Sequence, residues 1–312
     1  MDTRALRYFQ AVAEFGSYSR AAEWLRISQP AVSRQIAKLE AELGTPLFDR
    51  RGHGVVPTEA GRLLGERARD LLRRLERAKA EVRGARDGPT GSLSFAVPPA
   101  AGAILVPPLV ARFGAAFPNV FLRVVGGFSG YIHEWLVRGQ VDVALVHDPL
   151  PQRGFSADPL VREEVFLVGG PQAEPFGAGR DGEGELRTEH LAGLPLVLPS
   201  RSNASRRLLD HWTAGGAVPI DLKVEADDHG VIRGLLRRGL AYSLLTGAAV
   251  AEDVAAGRLR AWPFRPAAYW TLALVRPLQP APFVAEFAAM AAETARALLA
   301  AGDWPGEPAA PD

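Results

Sequence analysis

The chain has 312 residues, 47% hydrophobic and 23% charged, with no cysteine. That leaves room for two domains and a large core, and it excludes a disulfide scaffold, thiolate catalysis and cysteine-bound zinc. The net charge of +1 is unevenly divided: residues 1–90 hold 17 Lys+Arg against 12 Asp+Glu, the remainder 19 against 23, a basic head on an acidic body that suits a polyanion-binding domain.

From the N-terminus, Arg4, Arg7 and Glu14 are scattered among the apolar residues. A secretory signal would carry an uncharged run there, so a cytoplasmic protein is expected. The first helix is predicted over 4–14, with Leu6, Phe9 and Val12 inward and Gly16 ending it. A second starts near Ser17 or Ser19 and continues through "RAAEWL". A third follows at once, with Ser28 as its cap and Pro30 in the first turn, where no intrahelical donor is needed. On a 100° wheel Ile36, Leu39 and Leu43 fall within about 40° of Val32, which makes one buried face. The opposite face carries Pro30, Arg34, Ala37 and Ala41, flanked by Ser33 and Lys38. It is small, polar and cationic, and could lie in a groove.

Next, "PLFDRRGHGVVPT" reads as a short hairpin, a wing, with Arg50, Arg51, Gly52, His53 and Gly54 at its tip. Thr58 can cap a long fourth helix in which Leu64, Ala68, Leu71, Leu75, Ala78 and Val82 recur at alternating spacings of four and three. This heptad seam points to a second copy of the chain, although packing against its own domain stays open. "GARDGPTG", residues 84–91, marks a domain boundary.

Beyond it "LSFAV", "VFLRVV", "DVALV", "VFLVGG", "LPLVLP", "LKVEA", "AYSLL" and "TLALV" alternate with helical segments. That is the pattern of an α/β domain with mainly parallel strands. The uncharged stretch 88–111 is of membrane-span length, but its five prolines favour a buried strand, turn and helix. Residues 171–185 read as a surface loop, 281–299 as an amphipathic helix and "GDWPGEPAAPD" as a frayed tail. The expected division is 1–58, a winged helix-turn-helix; 59–84, a linker and dimerisation helix; 85–91, a hinge; 92–302, a two-lobed α/β domain; and 303–312, a tail.

Three short motifs hint at an enzyme and fail on inspection. "GAGRDG" has the glycine spacing of a dinucleotide loop but sits in a polar stretch, without a strand before it or a helix after it. "GFSGY" lacks the second glycine of a nucleophile elbow, and "HEWLV" lacks the second histidine of a zinc-protease helix. The six histidines show no close pair at ligand spacing. No cofactor, metal site or catalytic group is expected.

The run "FGSYSRAAEWLRISQPAVSRQIAKLEAELGTPLFDRRGHGVVPTEAG" resembles the winged helix-turn-helix of LysR-type transcriptional regulators, and the match extends over residues 6–61. "FPNVFLRVVGGFSGYIHEWLVRGQVDVALVHD" is similar to part of the first lobe of their effector-binding domain, a fold like that of periplasmic solute-binding proteins. "LVLPS" and "LRRGLAYSLLT" are similar to parts of the second lobe. The effector domain leans towards the regulators of nitrogen assimilation and aromatic catabolism.

The resemblance implies that Gln29, Pro30, Ser33 and Arg34 touch bases, while Lys38, Arg50 and Arg51 hold phosphates. It implies a homodimer, joined into a tetramer by the effector domains, on an interrupted palindrome in double-stranded DNA, with RNA polymerase as a partner at target promoters and no membrane. A small-molecule effector would sit between the lobes, at strand ends and helix starts. The residues expected to line its site are Ala100, Ala101, Phe128, Ser129, His147, Pro199, Ser200, Arg201, Ser202 and Thr246. Relatives often have serine or threonine where this chain has "PPAAG", and proline where it has Thr246. An anionic effector is expected, with a neutral one left open. A free-standing solute-binding protein would need an export signal and would have no use for residues 1–83.

Overall fold

The computed structural model describes residues 1–51, 54–87, 89–175, 186–213 and 218–309. The chain divides into two compact units, Met1–Gly91 and Ser92–Asp312.

In the first unit, α1 (Thr3–Phe15) is capped by the Asp2 carboxylate, which accepts from the Ala5 amide at 2.7 Å, and it ends at Gly16 with φ 59°. Ser17 caps α2 (Tyr18–Leu25), which closes at Arg26 and hands directly to α3 (Gln29–Leu43). Phe9, Val12, Ala21, Val32, Ile36 and Leu39 meet in one core. The buried face of α3 is thus the expected one as far as Leu39, whereas Leu43 is 41% exposed because the helix outruns the core beneath it. Ser28 also departs from expectation: its hydroxyl makes no capping bond among the described residues, and its carbonyl accepts from Ala31 and Val32 instead.

The wing is β1 (Phe48–Arg51) paired antiparallel with β2 (Gly54–Pro57). The long helix α4 (Glu59–Asp87) starts at Thr58, whose hydroxyl accepts from the Gly61 amide at 3.0 Å. A Cβ on Gly61 would come within 2.1 Å of the Leu47 carbonyl oxygen, so this turn can press on the wing only without a side chain. Because α4 continues to Asp87 and the next strand begins at Gly91, little of the expected hinge 85–91 remains between them.

The second unit runs β3 (Gly91–Val97), α5 (Pro99–Ala116), β4 (Val120–Gly126), α6 (Ser129–Val137), β5 (Val143–His147), β6 (Phe155–Gly169), β7 (Pro195–Leu198), α7 (Ala204–Trp212), β8 (Asp221–Glu225), α8 (His229–Arg237), β9 (Ser243–Thr246), α9 (Gly247–Ala255), β10 (Arg260–Pro277), α10 (Val284–Ala301) and β11 (Glu307–Pro308). All eight anticipated strand runs are strands, and 88–111 is a strand, turn and helix. The helix α5 is long and apolar enough to cross a membrane, but its Ala101, Leu105, Leu109 and Phe113 are buried in the core that α10 closes through Phe287.

The order β4-β3-β5-β10-β6-β11 makes the first lobe, and β9 pairs with the far end of β6 in the second. Parallel pairing joins β3 to β5 and β7 to β8. The expectation of mainly parallel strands is therefore corrected: β6 and β10 are long crossing strands that pair antiparallel from Phe155↔Pro277 to Gly169↔Arg260. The chain passes from one lobe to the other along β6 and returns along β10, so the two must run in opposite directions.

The tail is the other correction. Trp304 is 1% exposed within the first-lobe core, and β11 pairs with β6 through Glu307↔Arg162 and Pro308↔Val161. A large indole that can be buried with its N–H bonded overrides the loop-like composition around it. The glycine-spaced decoy at Gly177, Gly179 and Gly182 lies outside the described residues.

Candidate nucleic-acid interface and effector cleft

On α3, with Val32, Ile36 and Leu39 inward, Gln29, Pro30, Arg34 and Lys38 are exposed and Ser33 is half-buried. The Gln29 amide donates to the Ser33 hydroxyl at 2.9 Å, an i,i+4 pair that fixes both on the outer face. Forked amide, hydroxyl and guanidinium groups on one helix face are the types that read base edges in a major groove. Arg50 and Arg51 lie on β1, but their side chains, like residues 52–53, lie outside the described set.

The expected seam on α4 separates into parts. Ala68 is fully buried and packs with Leu6 and Leu72, and the half-buried Leu64 joins the same cluster. These positions are used within the unit, so that portion of the seam follows the alternative left open in the sequence. Leu71 is 48% exposed and Leu75 half-buried. The side chains of Ala78 and Val82 lie outside the described set.

In the second unit a cleft lies between the lobes. Pro98, Pro99 and Ala100 reach it from the start of α5, Phe128 and Ser129 from the start of α6, and His147 from the end of β5. The second lobe contributes Pro199, the first turn of α7 from Asn203 to Ser205, His229 and Ile232 of α8, Thr246 and Ala249. Four of these helices, α5, α6, α7 and α9, have no side-chain cap among the described residues. Of these, α6 has its Gly130 amide taken by Asn203 Oδ1, so the positive ends of α5, α7 and α9 are the ones left without a side-chain partner.

Hydrogen bonds hold the lobes together at the cleft edge. The Gly130 amide donates to Asn203 Oδ1 at 2.9 Å, the Tyr131 hydroxyl donates to Asp227 at 2.8 Å, and Arg207 donates to the Asp148 carbonyl at 2.8 Å. Burial pushes the Asp148 carboxyl up and the Arg207 guanidinium down. It also pushes His229 down, which keeps that imidazole neutral at pH 7.

Of the expected lining, Ala100, Phe128, Ser129, His147, Pro199 and Thr246 come together. Ala101 turns instead into the first-lobe core at 1% exposure. Ser200, Arg201 and Ser202 lie off the cleft wall, because the turn before α7 is spent on the lobe seam: the Ser200 amide donates to Asp227, Arg201 is exposed, and Ser202 lies so close to Gly130 that a Cβ there would meet its hydroxyl at 2.1 Å. The Ser129 hydroxyl accepts from the His147 amide at 3.1 Å. Sequence reasoning missed Trp270, Ser205, His229 and Ile232. Trp270 arrives on the returning strand β10 and the others on helix starts, and no local pattern announces them.

Behind the cleft, Glu163 is 1% exposed. One of its oxygens lies 2.7 Å from His147 Nε2, and the other accepts from the Trp304 indole at 2.9 Å. In the second lobe, Asp253 is fully buried among Arg233, Arg237 and Arg258, which bind α8 to α9. Burial raises its pKa, but hydrogen bonds from Arg237, Arg258 and Arg233 outweigh that and hold it at about 2.

A winged helix-turn-helix with a cationic reading face, in one chain with a two-lobed unit built around an interlobe cleft, defines a DNA-binding regulator that carries its own ligand domain. Comparison with known proteins gives the family. Residues 3–62 match the model "Bacterial regulatory helix-turn-helix protein, lysR family", and residues 86–296 match the "LysR substrate binding domain". The chain is 34% identical to HTH-type transcriptional regulator BbuR of Bordetella bronchiseptica over 99% of its own length and 94% of the relative's. It is also 34% identical to the nitrogen assimilation regulatory protein nac of Escherichia coli, over 67% of each chain. A full-length OxyR variant from Pseudomonas aeruginosa shares the fold with TM-score 0.69 and 23% identity, over 100% of this chain and 99% of that one. CbnR, in a complex with its target DNA, does so with TM-score 0.64 and 24% identity, over 94% and 100%. The chain belongs to the LysR family of DNA-binding transcriptional regulators, which is not a family of enzymes.

Proposed function

We propose that this regulator reads an interrupted palindrome with two copies of α3, Gln29, Pro30, Ser33 and Arg34 contacting bases and Lys38, Arg50 and Arg51 holding phosphates. The supporting observation is the exposed α3 face, polar and cationic, backed by an inner face packed through Val32, Ile36 and Leu39. Two chains pair through α4 beyond Ala68, and the effector units join pairs into a tetramer. An anionic effector binds in the interlobe cleft and shifts the assembly by its differential affinity for two arrangements. The protein acts in the cytoplasm, with RNA polymerase as its partner at the promoter.

Selection from a random duplex pool with the full-length protein tests this reading. The expected product is an enriched motif with two inverted half-sites, their centres separated by a whole number of helical turns. A pool without enrichment, or one with a single unpaired half-site, contradicts it.

A further inference from the structure

The chain crosses between the lobes along β6 and β10, and side chains bridge the lobes again at the cleft edge. Arg207 of α7 makes the first bridge. Its guanidinium donates to the Ser202 carbonyl in its own lobe at 2.8 Å, and to the His147 and Asp148 carbonyls of the other lobe at 3.4 Å and 2.8 Å. Asp148 offers that carbonyl from a left-handed backbone with φ 44°, a sparsely populated conformation outside glycine. Such a residue persists where its surroundings hold it, and here the Thr271 amide donates to its carboxylate at 2.8 Å.

Asn203 makes the second bridge. It is 2% exposed; its amide nitrogen donates to the Ser200 carbonyl in its own lobe, and its Oδ1 accepts from the Gly130 amide across the gap. That amide belongs to the first turn of α6, whose N-cap is Phe128, a side chain with no acceptor to offer. The second lobe therefore caps a helix of the first. Asp227 makes the third bridge, one oxygen accepting from the Tyr131 hydroxyl of the first lobe and the other from the Ser200 amide. The surfaces also touch: a Cβ on Gly130 would lie 2.1 Å from the Ser202 hydroxyl oxygen and 2.7 Å from its Cβ.

All of these bonds join groups of the chain itself, so closure needs no ligand. We propose that Arg207, Asn203 and Asp227 form a latch that holds the two lobes shut in the effector-free regulator. Lobe closure is then the resting state, and an effector acts on how closed units are arranged in the assembly. That consequence rests on the reading of the cleft as the effector site, whereas the latch does not.

The chain has no cysteine, so Val137→Cys on α6 and Asp210→Cys on α7, both exposed, place one spin label on each lobe of the full-length protein. Dilution into unlabelled chain isolates the distance within one copy, and pulsed electron resonance measures it with no ligand added. One narrow distribution is expected. Each bond replaces one to water and contributes modestly on balance, so the latch is broken at two points together. Arg207→Met with Asn203→Ala should add a population several ångström longer. Gly130→Ala should do the same by wedging the lobes apart, and Gly130→Ala with Ser202→Gly, which makes room for the new methyl group, should return the distribution to that of the labelled parent. A broad or double distribution in the parent overturns the proposal and needs no latch variant to fold. So does a distribution left unchanged by both Arg207→Met with Asn203→Ala and Gly130→Ala.

Discussion

Glu163 is the residue on which the first lobe, the cleft and the C-terminal segment converge. Its two oxygens are used, one facing the cleft residue His147 and the other taking the Trp304 indole proton. Trp304→Phe leaves a buried carboxyl oxygen without a donor, and stability should fall by about 1–3 kcal/mol. Thermal melting reads this directly, and an unchanged midpoint would show that the bond contributes nothing. The pH dependence of Asp253 has a definite sign. Its folded pKa of about 2 lies below the usual 3.8, so its stabilisation is complete above 3.8 and is lost as pH falls through about 2. Asp253→Asn leaves three guanidiniums without their carboxylate. Since two of them are about 40% exposed, the cost near pH 7 should be about 2 kcal/mol, less than for a fully buried pair. The difference in melting between wild type and variant should narrow between pH 4 and pH 2, and a constant difference contradicts the assignment.

At the scale of elements, legibility followed locality. The helices and wing of the first unit repeat at 3.6 or 2 residues, and Ser17 and Thr58 are caps legible in sequence, so "FGSYSRAAEWLRISQPAVSRQIAKLE" could be folded by inspection even though Ser28 does not supply the side-chain cap expected of it. The long strands β6 and β10 could not. The early part of β6, "FSADPLVREE", mixes proline and charge because much of it is only half-buried, and Glu163 is buried there by partners at His147 and Trp304, distant in sequence. Trp304 itself was hidden in a segment with the composition of a loose end. The helix α4 illustrates another limit: periodicity located an apolar stripe but not its partner, and Ala68 with Leu72 turned inward on Leu6. The stripe left for a second chain begins at Leu71, 48% exposed. Leu71→Glu with Leu75→Glu places like charges across that seam and should halve the sedimenting mass of the full chain while leaving its helix content intact. An unchanged mass would assign α4 to the unit alone.

At the scale of the whole molecule, a basic head carries the DNA contact and a neutral-to-acidic body carries the ligand, so operator affinity and effector response should be separable by mutation. Substitutions in the cleft wall should move the response, whereas those on the α3 face should move the affinity. The central claim is that α3 reads sequence through Arg34 and grips backbone through Lys38. It is tested most directly by the binding of wild type, Arg34→Ala and Lys38→Ala to the selected operator and to a scrambled duplex over a range of salt. Arg34→Ala should lose about 1–3 kcal/mol on the operator and little on the scrambled duplex. Lys38→Ala should weaken both alike and reduce the salt slope by about one. Equal binding of the two duplexes by wild type, or equal losses on both with Arg34→Ala, would contradict the account.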